Sequence, residues 1–249
     1  MNPDQPATDR ASDASTESLR RSYEHGPYQS QVHSTDPHAQ DVLAGMRARK
    51  LQPLIGPDDT VFEFGVGTAL NLRHLRCRRK VGHDLSDVSQ ACCQQHGIEF
   101  VRDLADMKDQ KFSVVLCHHT LEHVPDPFET LGRLKVMLEP GGRLLLFVPY
   151  EFNRRYRRYW PGDPNHHLFS WNALTCGNLV AAAGLDVEQV KLRPYGYQQR
   201  LAPLAKWGMP LYHAALWVAG RLRPCDEIQI VARAQRERPE PQMQTDAHG

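Results

Sequence analysis

The chain lacks any uninterrupted apolar run near the ~20 residues that a membrane span requires, so no segment is expected to cross a bilayer. It also lacks a Cys-x-x-Cys pair. Its six cysteines are Cys77, Cys92, Cys93, Cys117, Cys176 and Cys225, and the neighbours Cys92 and Cys93 are awkward for a simple disulfide. This usage excludes a disulfide framework and reads as reduced thiols of a cytoplasmic protein. Charge bias is missing too. A formal net charge of +1 argues against a dedicated nucleic-acid binder at the level of the whole chain. Met1 to Ser18 is polar and acidic with no apolar h-region, so it does not read as a secretory signal. No internal repeat is present.

What remains is a pattern of alternating elements. Residues 1–20 and 235–249 are rich in polar residues and proline, bury little, and are expected to be disordered. Ala39 to Leu51 has helical spacing and stops before Pro53. A strand is expected at Thr60–Phe64, a helix at Thr68–Leu75, a strand at Lys80–Asp84, and a helix capped by Ser86 and closed by Gly97. Strands follow at Glu99–Val101 and Phe112–Cys117, then a helix at Phe128–Leu138. Pro140-Gly141-Gly142 reads as a turn before a strand at Arg143–Val148. A helix over Trp171–Ala183 and strands at Leu185–Leu192 and Glu227–Ala232 complete the set. Strands alternating with helices imply a parallel sheet with right-handed crossovers.

The most informative stretch is Val61-Phe62-Glu63-Phe64-Gly65-Val66-Gly67-Thr68-Ala69. Gly65 allows a backbone conformation strained for other residues, and Gly67 permits close approach of a ligand. Free N–H groups at a helix start favour an anion such as a carboxylate. Glu63 adds a negative charge, which suits a ligand that also carries an ammonium. The dinucleotide fingerprint wants a small residue where Leu70 stands, which disfavours an oxidoreductase.

This loop resembles that of the class I, Rossmann-like, S-adenosylmethionine-dependent methyltransferases, with Ala69 in place of a third glycine. The resemblance runs over roughly residues 40–235. Leu121-Glu122-His123-Val124-Pro125-Asp126-Pro127 is very similar to a block of the ubiquinone-type and other small-molecule methyltransferases. Leu138-Glu139-Pro140-Gly141-Gly142-Arg143-Leu144 matches the turn before their fifth strand. The resemblance implies a three-layer α/β sandwich with a seven-stranded, mostly parallel sheet whose last strand is antiparallel. The domain would span 21–234, with cap elements at 150–170 and 197–224. The implied cofactor is S-adenosyl-L-methionine, held by Glu63, Phe64, Gly65 and Gly67 at the loop. Asp84 and Leu85 would sit at the ribose, Asp103 and Leu104 at the adenine, and His118 at the methionine part.

The implied chemistry is methyl transfer to a small-molecule or lipid-linked acceptor, more often at oxygen. A silent cofactor-binding regulator, or a methyltransferase acting on nucleic acid or protein, stays open. His119, His123 and His166 are the candidate catalytic histidines, since a neutral imidazole can take a proton from a hydroxyl. Turn-packing or loop roles compete for each. No metal is expected, because neither His118-His119 nor His166-His167 has a ligand-pair spacing with matching partners. The basic, aromatic run Asn153–Trp160 fits an acidic acceptor, a nucleic acid or a solvated loop. Residues 201–222 fit a cap, a dimer contact or a peripheral membrane contact. The sequence leaves the acceptor and the oligomeric state unnamed.

Overall fold

The computed structural model describes residues 36–151, 158–159, 165–194, 199–222 and 226–235. Both expected tails, except Gln235, and most of the basic run lie outside those residues. Helix α1 (Pro37–Leu51) starts at Asp36, whose side chain accepts from the His38 N–H at 3.0 Å. Pro37 at its first position has no N–H to leave unpaired. Strands β1 (Thr60–Phe64) and β2 (Arg79–His83) follow, then α2 (Asp87–Gln95), capped by the Ser86 hydroxyl as expected. β3 (Glu99–Val101), β4 (Phe112–His118) and α3 (Pro127–Val136) lead to the long β5 (Leu138–Tyr150). The chain continues through α4 (Ala173–Ala182), β6 (Leu185–Pro194), α5 (Met209–Leu222) and β7 (Asp226–Ala234).

The seven strands form one sheet in the order β3-β2-β1-β4-β5-β7-β6. β7 runs antiparallel to both of its neighbours, and the other pairings are parallel, as the family resemblance implied. Successive residues of the central strands feed opposite faces. Phe62, Val115, Leu144 and Leu146 pack with Leu131 and Leu134 of α3 and Val180 of α4. Val61, Leu116, Leu145 and Phe147 pack on the other face with Ala48 and Leu51 of α1 and Cys93 of α2. Chain order reverses between β1 and β4, and the crevice at their carboxyl ends is where ligands enter such sheets.

Two expectations change. The helix read over Thr68–Leu75 does not form; the segment is a succession of turns. Ala69, inside the segment, takes a left-handed φ of 59°, which a right-handed helix does not accommodate, and Gly67 just before it does so at 51°. Burial of Leu70, Leu72 and Leu75 holds the irregular path instead. The Pro140-Gly141-Gly142 turn lies inside β5. Phe112 pairs with Leu138 while Val114 pairs with Arg143, so the additional β5 residues bulge. Gly141 sits at φ 78°, and a Cβ on Gly142 would lie 2.9 Å from the Glu139 carbonyl oxygen.

Of the expected caps, residues 199–207 form a 3-10 segment that continues into α5. Ala202 packs with Ala39, Leu43 and Ala44 of α1 and with Leu70, and Lys206 pairs with Asp36 at 3.0 Å. The five described cysteines are free thiols.

Phe112→Ala should cost about 3–5 kcal/mol in urea denaturation, because this fully buried ring also packs on Phe62 with centroids 5.2 Å apart. Leu174→Ala, on the exposed side of α4, should change stability by less than about 0.5 kcal/mol.

Candidate active site

The glycine loop is pinned to the neighbouring strand. Gly65 and Val66 both donate to the His83 carbonyl at 2.9 Å, and Gly67 donates to Asp84 Oδ2 at 2.8 Å. Gly65 has φ 75°, and a Cβ there would lie 2.3 Å from Thr120 Oγ1. Thr120 follows β4, so this glycine is set by both backbone and packing. Gly82 plays a second supporting part. A Cβ on it would meet Val66 Cγ2 at 2.8 Å.

Asp84, expected at the ribose, also has a structural part. Its Oδ1 accepts from Ser86 N at 3.1 Å, so one carboxylate joins the loop to the start of α2. A carboxylate has about four acceptor sites, which leaves capacity for hydroxyl donors. Leu85 is half-buried beside it. Asp103 is exposed and caps the 3-10 turn Leu104–Met107 through the Ala105 N–H at 2.9 Å. Phe64 stacks on the buried His83 ring, with centroids 5.0 Å apart.

Glu63, expected as a negative charge beside the loop, lies inside the protein. It is fully buried, and the Asn71 amide donates to its Oε1. Arg47 of α1 holds that amide in turn, donating to Asn71 Oδ1 at 3.1 Å. Burial pushes the Glu63 carboxyl up to about 8, against the pull of Asn71 and Arg47. Its Oε2 has no hydrogen-bond partner among the described residues. An orphaned acceptor behind a glycine loop fits a ligand that brings an ammonium, and it is the observation by which the site fits S-adenosylmethionine.

A polar cluster occupies the ends of β4 and β7. The buried Lys50 ammonium donates to Glu227 Oε1 at 2.8 Å and Oε2 at 3.0 Å, and lies 2.8 Å from His118 Nε2. His119 Nε2 is 3.3 Å from Glu227 Oε2. Burial lowers the Lys50 ammonium to about 8 even with Glu227 beside it. Burial pushes Glu227 up, but His119 and Lys50 outweigh it and hold the carboxylate below its ordinary range. Burial and the Lys50 charge hold His118 well below the usual histidine value, so it accepts from Lys50 as a neutral ring. Burial also lowers His119, and Glu227 offsets part of that. His119 has φ 54°, held by its N–H donating to the Phe147 carbonyl at 2.8 Å.

A second cluster lies in the turn after β4. Glu122 is fully buried, and neither carboxylate oxygen has a hydrogen-bond partner among the described residues. Burial pushes it up to about 7, with His167 pulling the other way. His123 is lowered to about 3 by burial and by the His167 charge. His167 bonds Glu151 at 2.6 Å, whereas His166 is exposed at φ 50°.

One ligand atom each from His118, His119 and Glu227 falls within 4.8 Å of the others, and the same holds for Glu122, His123 and His167. The expectation of no metal rested on spacing along the chain, which does not register Glu227 and His167 arriving from other elements. In the first group the Lys50 ammonium already supplies the positive charge. In the second, Glu122, His123 and His167 could hold a divalent ion.

Residues 37–190 match the family model described as a methyltransferase domain. The chain belongs to the class I, Rossmann-like, S-adenosylmethionine-dependent methyltransferases, and S-adenosylmethionine is its cofactor. A ubiquinone biosynthesis O-methyltransferase of Pseudomonas syringae pv. tomato (strain ATCC BAA-871 / DC3000) is 31% identical over 105 residues, covering 38% of this chain and 44% of that one. A protein of the same name from Xanthomonas euvesicatoria pv. vesicatoria (strain 85-10) is 41% identical over 49 residues, 20% of each chain. The chain therefore matches less than half the length of these relatives.

Among solved structures, a Thermotoga maritima SAM-dependent methyltransferase, named a possible histamine N-methyltransferase, superposes with TM-score 0.56 at 16% identity, covering 79% of this chain and 91% of that one. The [4+2]-cyclase SpnF gives TM-score 0.53 at 18% identity, covering 79% and 81%. These two share the fold.

Sequence reasoning missed Arg47, Lys50, Asn71, Thr120, Glu151 and Glu227. Glu227 alone left a signal, as an acid beside the apolar residues Ile228, Ile230 and Val231 of β7.

Glu63→Gln should stabilise the ligand-free protein, because the carboxyl is raised in the fold. That raised value favours folding at low pH and loses the advantage as pH climbs from about 4.5 to about 8. The stability gap between variant and wild type should therefore widen across that window in denaturant titrations. Gly82→Ala should displace Val66, cost about 1–3 kcal/mol of stability, and weaken S-adenosylhomocysteine binding by calorimetry.

Proposed function

We propose that this methyltransferase acts on a hydroxyl oxygen of a small-molecule or lipid-linked acceptor. The observation that carries the reading is the His119–Glu227 contact at 3.3 Å, at the carboxyl end of β4 beside the glycine loop. Bound at that loop, S-adenosylmethionine supplies an electrophilic methyl group on a sulfonium. The protein's tasks are to align the acceptor oxygen, exclude water and receive the hydroxyl proton.

His119 suits the last task. Its side chain is 23% exposed, against 1% for His118, so it can face an acceptor. Its lowered value keeps it neutral at pH 7 and able to take a proton. Glu227 then stabilises the imidazolium that forms. His123 is a weaker base, being lowered to about 3. The name carried by the curated relatives supports oxygen as the acceptor atom. The run Arg154, Arg155, Arg157 and Arg158 supports an acidic group on the acceptor.

Incubation with S-adenosylmethionine and pools of phenols, catechols and prenylated phenols, read as S-adenosylhomocysteine release, tests the proposal. Turnover confined to hydroxyl pools is expected. Transfer to amines alone would reassign the acceptor atom, and a folded, cofactor-binding protein with no turnover on any pool would make it a silent binder. His119→Asn should lower kcat by roughly 10²–10⁴-fold with S-adenosylhomocysteine affinity unchanged. In the wild type the acidic limb of kcat/KM should fall below the ordinary histidine value of 6.5, because His119 is lowered.

A further inference from the structure

Helix α5 is apolar on two sides. Its inner side buries Tyr212 completely. Its outer side carries Leu211, Ala215, Val218 and Leu222, spaced four, three and four residues apart, so that they share one face. Ala215 is half-buried, whereas Leu211, Val218 and Leu222 are exposed, Leu222 to 77%. Trp217 of α5 and Trp207 just before the helix are exposed too, at 60% and 82%.

The segment's own charges have one sign, although its Lys206 is paired with Asp36 beside α1. Residues 199–222 contain no Asp or Glu, while Arg200, Lys206 and Arg221 fall within them and Arg223 follows directly. Arg221 lies over the Trp217 ring at 3.5 Å, so this cation edges the apolar face rather than interrupting it. An exposed strip of Leu, Val and Trp with cations at its margin matches a surface that is apolar within and anionic at its boundary. No helix of the described residues is long and apolar enough to cross a membrane. A second copy of the chain is a poorer occupant, because a two-fold contact would set this cationic face against itself. The segment also lies beyond residues 37–190, the part matched by the family model.

We propose that the outer face of α5, with Trp207, docks on an anionic lipid surface. The 3-10 segment that leads into α5 packs through Ala202 with α1 and with Leu70, the residue after the glycine loop. A lipid-linked acceptor would then arrive from the bilayer. Only that last clause rests on the proposed function; the docking itself does not.

Co-sedimentation of the full chain with phosphatidylcholine vesicles, alone or mixed with phosphatidylglycerol, tests the surface without any turnover. The combined variant Leu211→Ser, Val218→Ser, Leu222→Ser changes only exposed side chains, and retained S-adenosylhomocysteine binding shows that it folds. Binding to the mixed vesicles, weakened by high salt and reduced at least roughly tenfold in the variant, is the expected result. Absence of binding, equal binding to both vesicles, or equal binding by the variant would overturn the proposal. So would a dimer in lipid-free solution that the variant abolishes, since that would give the face to a second copy.

Discussion

One buried ammonium organises the active side of this protein. Lys50 sits at the end of α1 with its charge removed from water, and Glu227 at the start of β7 is the carboxylate that compensates it. Neither group is tolerable there alone, because breaking such a pair leaves a buried, uncompensated charge. The pair therefore fixes α1 against the far half of the sheet. It also sets the states of two histidines: His118 accepts from Lys50, and His119 contacts the same carboxylate. The arrangement is a structural tie and an electrostatic setting at once, which makes Glu227 a positioning group rather than a surface acid.

α1 carries a second tie. Arg47, one turn earlier, holds Asn71, and Asn71 holds Glu63 behind the glycine loop. The helix thus reaches the glycine loop through Arg47 and Asn71, the Glu227 cluster through Lys50, and the 199–207 segment through Ala39, Leu43 and Ala44. Such a contiguous set of contacts can link what happens at one side to the other, because packed interiors do not deform continuously.

The loop itself shows why glycines and acids recur together in such sites. Gly65 must be glycine because its φ is positive and Thr120 fills the space a Cβ would need. Asp84 is bound to the loop through Gly67 and to α2 through Ser86, so the residue expected at the ribose also builds the crevice. Removing it would alter loop geometry as well as ligand contacts.

Much of this was legible in the chain. Short apolar strands alternating with helices, capping Ser86 and the glycine loop gave the parallel sheet and located the crevice, because these signals are local and each residue acts on its neighbours. Glu63, Gly65, Gly67, Asp84 and His118 do converge at the ends of β1, β2 and β4. The turns over Thr68–Leu75 were not legible, since burial of Leu70 and Leu72 and the capture of Asn71 by Glu63 override local helix preference. Nor were the partners of the histidines. Glu227 is 108 residues from His119 along the chain, and His167 is 44 from His123. The sequence by itself determined most of the elements, the Thr68–Leu75 turns apart, and the crevice at the sheet's carboxyl ends. Only the tertiary structure decided which charges meet out of water, because burial and pairing depend on side chains that folding alone brings within a few ångströms.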